Sequence, residues 1–229
     1  MRVFFACSVA AILAVHPAQL QASILYVDLN NPNPVAPYDS WPAAATNIQA
    51  AVDAASPGDT VLVTNGVYQT GGRVVNGSLT NRVVVNKALT LRSVNGAAVT
   101  VIRGNPTIGN SAVRCVYLTN NATLIGFTLS SGGARFTGFT NESSGGGIYG
   151  YSPWMYGGTP NCVVLDCVIS GNIAFAGGGG MYGVNASNCL ILNNVGGNGG
   201  GAYFCVLTNC TLTGNVGNHD GGGAYFSTL

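Results

Sequence analysis

Three carboxylates, Glu142, Asp166 and Asp220, are the acidic side chains of the C-terminal half of the chain. Glycoside hydrolysis needs two carboxylates that flank one bond, and a calcium site needs several oxygen ligands around one cation. Asp166 stands where later parts of the chain carry Asn188 and Asn209, which predicts a polar turn residue. Glu142 lies in a loop rich in glycine and serine and is predicted to be solvated, and Asp220, in a predicted turn, has no carboxylate partner that the spacing can place. The sequence therefore predicts no catalytic residue and no metal site, and it leans towards a protein that is not an enzyme.

Six cysteines follow residue 100, and their spacing raises the question of a metal or redox site. Zinc sites use four converging ligands, usually separated by two to four residues, whereas Cys162 and Cys167 are five positions apart. Cys167, Cys189 and Cys210 instead recur at a regular interval. A disulfide between two of these three cysteines would leave the third unpaired, so the pattern favours buried thiols that pack as small apolar side chains. No cofactor is predicted.

Aromatic side chains are the residues predicted to bind a ligand. Four tyrosines each follow a run of glycines and one apolar residue: Tyr149, Tyr182, Tyr203 and Tyr225. If the apolar residue points into a core, the tyrosine points out, because neighbouring side chains of a strand alternate between faces. A row of outward tyrosines would suit sugar rings or another protein, although it could also serve only to cover the sheet. Trp154, in an insertion over 151–161, could extend this surface.

The cysteine positions recur with a regular period. The steps from Cys167 to Cys189 and from Cys189 to Cys210 are 22 and 21 residues. Three asparagines keep the same steps: Asn172, Asn194 and Asn215. Each unit contains short runs of aliphatic and β-branched residues separated by Gly and Asn, with no helical period, and it lacks the leucine ladder of a leucine-rich repeat. The prediction is an all-β chain, a right-handed parallel β-helix with coils of about 22 residues.

In such a fold, identical positions of successive coils lie about 4.8 Å apart and form ladders along the axis. The predicted interior ladder consists of Cys167, Cys189 and Cys210. The asparagine ladder is placed at the following turn, where Asn tolerates a left-handed backbone and can bond its copies above and below. The glycine triplets allow each coil to turn sharply without a Cβ in the way.

A short amphipathic helix is predicted near the start of the chain. Its apolar face would consist of Ala44, Ile48, Ala51, Val52 and Ala55, and Thr46 with Gln49 gives a capping box at its beginning. A stack of coils exposes its core at each end, so the helix is predicted to cover the first coil. The predicted organisation is a strand and capping helix over 23–58, then a parallel β-helix over 59–229. The C-terminal coil is predicted to be open, which would allow end-to-end association with another chain.

The first 22 residues predict export. Arg2 precedes an apolar run from Val3 to Val15, and Ala22 offers a cleavage position before Ser23. That run is too short to span a bilayer, so no transmembrane segment is predicted in the mature chain. Charged residues make up 7% of the sequence and the net charge is +1, which argues against nucleic-acid binding. An extracellular or cell-surface location is expected.

Several stretches resemble known proteins. AATNIQAAVDAA, GDTVLVTNGVY and KALTLRSVNG are similar to the start of secreted bacterial right-handed parallel β-helix proteins of the pectin lyase-like superfamily. The later GGGxY and NCxL units resemble the repeats of polymorphic outer membrane proteins. The resemblance covers nearly all of the chain after the leader. It implies the fold but no single function, because that superfamily includes polysaccharide lyases and hydrolases, adhesins, tailspikes and passenger domains.

Two hypotheses of function follow. The first is an exported, non-catalytic, adhesin-like scaffold that binds polysaccharide or another surface protein. The alternative is a fragment of a polysaccharide lyase or glycoside hydrolase whose catalytic coils are not in this sequence. Several aspartates on successive further coils would favour the enzyme, whereas more GGGxY units would favour the surface protein.

Overall fold

The computed structural model describes residues 22–75, 77–119, 121–136, 140–151 and 160–229. Almost all of the predicted leader and the part of the insertion that holds Trp154 lie outside these ranges. The helical segments are η1 (Trp41–Ala43), α1 (Ile48–Ala54) and α2 (Thr140–Ser143). Within the described part of the chain, no helix is both long and apolar enough to cross a membrane.

Short strands make up the rest of the regular structure. In chain order they are β1 (Ile24–Val27), β2 (Thr60–Val63), β3 (Gly66–Tyr68), β4 (Arg73–Val74), β5 (Thr80–Val85), β6 (Thr90–Ser93), β7 (Thr100–Arg103), β8 (Val113–Leu118), β9 (Thr123–Ile125), β10 (Thr128–Ser130), β11 (Ile148–Gly150), β12 (Val163–Leu165), β13 (Val168–Ser170), β14 (Met181–Tyr182), β15 (Asn185–Ser187), β16 (Leu190–Leu192), β17 (Val195–Asn198), β18 (Ala202–Tyr203), β19 (Val206–Thr208), β20 (Thr211–Thr213), β21 (Val216–Asp220) and β22 (Ala224–Tyr225).

Three long sheets run along the stack. The first has the order β1-β2-β6-β9-β12-β15-β19, the second β3-β7-β10-β13-β16-β20, and the third β4-β5-β8-β11-β14-β18-β22. Strands within them pair in parallel, apart from the antiparallel pair β4 and β5. A further parallel pair joins β17 to β21.

Successive strands of the chain step from one sheet to the next. β12, β13 and β14 belong to the first, second and third sheets, and β15 then returns to the first sheet beside β12. Val168 pairs with Leu190, and Leu190 pairs with Thr211, so equivalent residues of these coils are 22 and 21 positions apart. Each strand therefore lies on its copy in the preceding coil, which confirms the predicted parallel β-helix.

The inward side chains of the three sheets form one continuous apolar core. Ile169 and Ile191 of the second sheet are fully buried in it, and Leu212 packs against it one coil later. Val164 of the first sheet and Met181 of the third sheet face the same interior. Burying these inward side chains holds all three sheets around a single dry centre.

The three cysteines predicted as an interior ladder lie at the bend between the first and second sheets. Cys167 and Cys189 are buried in the core, and Cys210 is partly buried against it. Each thiol donates a hydrogen bond to the carbonyl two residues earlier: Cys167 to Leu165 at 3.1 Å, Cys189 to Ser187 at 3.3 Å and Cys210 to Thr208 at 3.4 Å. The bend itself is made by the preceding polar residues, which have φ of 53°, 55° and 51°: Asp166, Asn188 and Asn209.

The three predicted ladder asparagines are joined by side-chain hydrogen bonds at the turn that leaves the second sheet. Asn172 Nδ2 donates to Asn194 Oδ1 at 2.9 Å, and Asn194 Nδ2 donates to Asn215 Oδ1 at 3.0 Å. The same two oxygens accept the backbone N–H of Asn172 and Asn194. The left-handed backbone expected at these asparagines is instead one residue earlier: Gly171, Asn193 and Gly214. The asparagines therefore join coils by hydrogen bonds, while their neighbours make the turn.

The glycine runs before the strands of the third sheet have two different structural roles. Gly178 has φ of 59°, a conformation that residues with a Cβ adopt only at a cost. A Cβ on Gly180 would lie 2.5 Å from the carbonyl oxygen of Gly201 in the next coil. The first glycine thus permits the turn, and the later one permits the close approach of successive backbones.

Helix α1 lies against β1, β2 and β5, at the end of the stack where the described chain begins. Ile48, Ala51 and Val52 enter the main core from this helix. Its N-cap is Asn47, whose side chain accepts the N–H of Ala50 at 2.8 Å, so the predicted capping box at Thr46 is wrong by one residue. Gln49 instead accepts the N–H of Val84 at 2.7 Å and donates to its carbonyl at 3.1 Å, which fastens the helix to β5.

Candidate functional site

The four predicted tyrosines occupy equivalent positions of the third sheet. Strand pairing aligns Tyr149 with Tyr182, Tyr182 with Tyr203, and Tyr203 with Tyr225. Their apolar neighbours face the main core, whereas Tyr149 and Tyr182 belong to a second cluster on the other face of the sheet. Tyr117 joins this cluster one coil earlier. Sequence reasoning missed Tyr117 because no glycine triplet precedes it, although the order of an apolar residue followed by tyrosine was visible.

The ring stack is regular at one end and broken at the other. Tyr117 and Tyr149 are stacked with centroids 5.6 Å apart, and the rings of Tyr149 and Tyr182 are stacked nearly parallel with centroids 4.9 Å apart. Tyr203 then meets Tyr182 edge-on, at an interplanar angle of 85°. Tyr225 follows Tyr203 at 5.7 Å with a tilt of 32°.

The expectation of four solvent-exposed tyrosines is wrong for two of them. Tyr149 is 7% exposed and Tyr182 is 4% exposed, whereas Tyr203 and Tyr225 are half-buried. Burial raises the pKa of Tyr149 to about 12, because the phenolate would lose its hydration. Tyr149 and Tyr182 therefore pack the outer side of the sheet, and an alanine at Tyr182 would damage the fold.

A buried arginine supports this part of the sheet. Arg114 is 1% exposed, and its guanidinium lies 5.0 Å from the ring centroid of Tyr149. Its nitrogens donate to the Gly145 carbonyl and the Asn81 side-chain oxygen, both at 2.8 Å. They also donate to the carbonyls of Asn141 and Ser144, at 2.6 Å and 2.8 Å. Arg114 thus fixes the segment around helix α2 against the third sheet.

Two phenylalanines that sequence reasoning missed extend the half-buried rings of Tyr203 and Tyr225. Phe204 and Phe226 directly follow Tyr203 and Tyr225, and they have φ of 53° and 45°. The equivalent residue one coil earlier is Gly183, with φ of 67°. A left-handed backbone is strained for a residue with a bulky side chain, and such strain concentrates at functional sites. The signal in the sequence was the replacement of glycine by phenylalanine at this position of the repeat.

These rings form a continuous surface. Phe204 stacks on Tyr203 with centroids 4.3 Å apart, and Phe226 stacks on Phe204 with centroids 5.4 Å apart. Phe226 is 59% exposed. The surface continues on two loops, one after β10 and one after β13, where the rings of Phe136 and Phe175 are 4.2 Å apart and both are exposed. We name this surface the outer aromatic face; it consists of Phe136, Phe175, Tyr203, Phe204, Tyr225 and Phe226.

A cleft of about 370 Å³ opens within this face. Phe175, Tyr182, Tyr203 and Phe204 form its aromatic walls, and Ser144, Asn198 and His219 are among its polar lining residues. Gly177 leaves room for the ring of Tyr203, because a Cβ on residue 177 would lie 2.6 Å from the Cε1 atom of that ring. An aromatic cleft with a few polar groups is the usual form of a small-ligand site.

The three carboxylates considered for catalysis lie in three different environments. Asp166 is exposed and accepts a hydrogen bond from Asn188 Nδ2 at 3.2 Å. Asp220 is exposed at the end of β21, rather than in the predicted turn. In the ranges that the structure covers, no group of three or more His, Cys, Asp or Glu side chains could hold a metal ion.

The prediction that Glu142 is solvated is wrong. It is 7% exposed, and its Oε1 atom accepts the backbone N–H groups of Ser78 and Leu79 at 2.6 Å and 3.0 Å. Arg135 Nε lies 3.6 Å from the same oxygen. Glu142 therefore holds the turn before β5 against the loop that carries α2, which is a structural role.

The described residues define a class of protein: a parallel β-helix with an aromatic face on the outside of its third sheet. No protein-family model matches the chain, and no curated protein sequence matches it. Similar solved structures are those of a rhamnogalacturonan lyase (TM-score 0.48), a pectin methylesterase in complex with a hexasaccharide (0.43) and a pectin methylesterase from Erwinia chrysanthemi (0.36), each 13% identical in sequence.

The extent of these similarities is limited. The alignments cover 89%, 82% and 83% of this chain, and 62%, 55% and 65% of the three solved chains. The chain thus spans less than two thirds of each of these proteins. At these identities and TM-scores, the comparisons carry no argument about activity or ligand.

Proposed function

We propose that this protein is an exported, non-catalytic β-helix scaffold that binds polysaccharide through its outer aromatic face. The observation that carries the proposal is the pair Phe204 and Phe226. The two rings are stacked on each other, Phe204 half-buried and Phe226 59% exposed, on left-handed backbone positions that the preceding coil fills with Gly183. A fold that only needed to close its sheet would keep glycine there and avoid the strain.

The chemistry of the face suits a sugar chain. One side of a pyranose ring presents C–H groups, and these pack against aromatic rings as other apolar groups do. The rings of Tyr203 and Phe204 and those of Tyr225 and Phe226 recur from coil to coil. A polymer of sugar rings also repeats, so successive residues of one chain can meet successive rings.

Charge does not favour a strongly ionic partner. The net charge of the whole sequence is +1, and the six residues of the outer aromatic face are uncharged. Exposed apolar patches of this kind mark interaction sites. Another surface protein is the competing occupant, and it is an outcome of the test below.

A glycan array, probed with the secreted protein, tests the proposal. We expect binding to extended polysaccharides and no release of unsaturated sugars in a lyase assay on the same polymers. Turnover of any of them would refute the non-catalytic assignment. Binding to a cell-surface protein fraction together with an empty glycan array would refute the polysaccharide and favour the surface-protein partner.

We also propose that the protein can associate end to end. β20 and β22 are the outermost strands of the second and third sheets, and such strand edges can pair with a strand of another chain. Sedimentation analysis over a range of concentrations tests this. We expect a concentration-dependent increase in mass, and a mass that stays that of a monomer would refute the association.

A further inference from the structure

Two buried side-chain oxygens of residues that line the cleft have no hydrogen-bond partner among the described residues. They are Ser144 Oγ and Asn198 Oδ1, and both residues line the cleft between the rings of the outer aromatic face. Ser144 is 0% exposed. Leaving a buried polar group without a partner destabilises a fold, so each such group calls for a specific explanation.

Both residues are held firmly by their backbones. The Ser144 N–H donates to the Thr140 carbonyl at 3.1 Å, and its own carbonyl accepts from Arg114 at 2.8 Å. Asn198 donates its N–H to the Ala176 carbonyl at 2.8 Å, and its carbonyl accepts the N–H of Gly178 at 2.9 Å. The backbones that carry the two side-chain oxygens are therefore fixed, which is the arrangement expected of a preformed site.

The chemistry of these atoms limits the ligand. An amide oxygen such as Asn198 Oδ1 can only accept, so the ligand has to donate a hydrogen bond; the Ser144 hydroxyl can donate or accept. The walls of the cleft are aromatic and require an apolar ring face. A ring that carries hydroxyl groups on its edge and C–H groups on its face meets both requirements, and a sugar residue has this structure.

The charge of the cleft limits the ligand further. Among the described residues that line it, none is Lys, Arg, Asp or Glu. Burial raises the pKa of the phenols of Tyr182 and Tyr203, so both remain neutral at physiological pH. A uronate would bring a carboxylate into a site whose described lining offers no Lys or Arg to pair with it, which is unfavourable.

We propose that the cleft binds a single uncharged sugar residue of the polysaccharide, and that Ser144 and Asn198 recognise its hydroxyl groups. The inference rests on the proposed function and adds the class of sugar and the residues that select it. A volume of about 370 Å³ lies at the small end of the usual range of about 300–1,000 Å³ for ligand pockets, which agrees with one ring rather than an extended chain.

Removal of the Ser144 hydroxyl separates binding from folding. In Ser144→Ala we expect binding to a neutral polysaccharide, such as galactan or dextran, to weaken roughly three- to tenfold through loss of one hydrogen bond. The melting temperature should stay the same or rise, because the unliganded fold loses an unsatisfied buried group. Ser170→Ala, on the second sheet and outside the cleft, is the matched control and should change neither quantity.

The outcomes distinguish the inference from the proposed function. Unchanged binding in Ser144→Ala, or a lowered melting temperature with unchanged binding, overturns the role of Ser144. Tighter binding of polygalacturonate than of every neutral polymer overturns the uncharged sugar but leaves the polysaccharide function standing. Failure of the unmodified protein to bind any polysaccharide overturns the proposed function itself.

Discussion

Asn194 is the residue whose loss should most clearly weaken the contact between coils. Its Oδ1 atom accepts from the N–H and Nδ2 of Asn172 at 3.0 Å and 2.9 Å. Its Nδ2 atom donates to the carbonyl of Ile169 at 2.9 Å and to Asn215 Oδ1 at 3.0 Å. All four bonds lie at a position that is 0% exposed. Replacing Asn194 by alanine removes them together.

The expected loss of stability in Asn194→Ala follows from the number of hydrogen bonds that the substitution removes. Each buried hydrogen bond contributes about 0.5–1.5 kcal/mol net, so four contribute about 2–6 kcal/mol, and we expect the free energy of unfolding to fall by about 4 kcal/mol. Most folded domains are stable by only about 5–15 kcal/mol. Asn194→Ala should therefore be close to the limit of folding, which urea-induced unfolding followed by circular dichroism will measure.

Asn193 provides the matched control for this experiment. It is the neighbouring asparagine, but it is exposed and has φ of 54°, a conformation that glycine adopts without strain. Asn193→Gly should change the free energy of unfolding by less than about 0.5 kcal/mol. If Asn194→Ala costs less than about 1 kcal/mol, or no more than the control, the ladder does not hold the coils together in the way described.

Two further predictions concern buried groups. Arg114→Met should destabilise the protein by at least about 3 kcal/mol in urea unfolding, because it removes four hydrogen bonds and leaves buried acceptors unsatisfied. Stability should fall as the pH rises above about 9, by up to about 1.4 kcal/mol per pH unit for each buried thiol. Burial raises the pKa of Cys162 and Cys205 to about 11 and of Cys115 and Cys167 to about 12. These thiols therefore ionise in the unfolded chain at a lower pH than in the folded protein. Urea unfolding midpoints, measured from neutral to alkaline pH under reducing conditions, will check this.

Each of these predictions has a clear contrary result. Arg92 is exposed on β6, so Arg92→Met is the control for Arg114, and equal losses of stability in the two variants would contradict the role of the buried guanidinium. For the thiols, a urea midpoint that stays constant up to strongly alkaline pH would contradict their burial in the reduced state.

The repeat carried enough information to predict the fold. Equivalent positions of successive repeats must lie over one another to explain the Gly triplets, the alternating apolar residues and the spacing of Cys167, Cys189 and Cys210. A parallel β-helix meets this requirement for all three features. The hydrogen-bonded contact between Asn172 and Asn194 follows from the same spacing. Such features are local and periodic, so a single sequence reveals them.

The site was harder to predict, because it depends on contacts between elements far apart in sequence. The burial of Tyr149 involves Arg114, and the burial of Glu142 involves the turn at Ser78. Neither contact has a spacing that the repeat dictates. Phe204 and Phe226 were detectable as departures from glycine in the repeat, but their left-handed backbone becomes evident only in the structure.

Two rings of the outer aromatic face can be removed without redesigning the backbone. Phe204→Gly and Phe226→Gly copy the residue that the preceding coil carries at Gly183. The left-handed backbone costs about 1–2 kcal/mol in a residue with a Cβ, so its relief offsets part of the lost ring packing. Leu190→Ala, an exposed apolar position on the second sheet, serves as the control for the loss of apolar surface.

The most direct measurement is the dissociation constant of this double variant for a polysaccharide that the unmodified protein binds, obtained by isothermal titration calorimetry. Two ring contacts of about 0.5–1.5 kcal/mol each predict that binding weakens at least about fivefold, while Leu190→Ala binds as the unmodified protein does. A double variant that folds and binds with unchanged affinity would contradict the assignment of the outer aromatic face as the polysaccharide-binding surface.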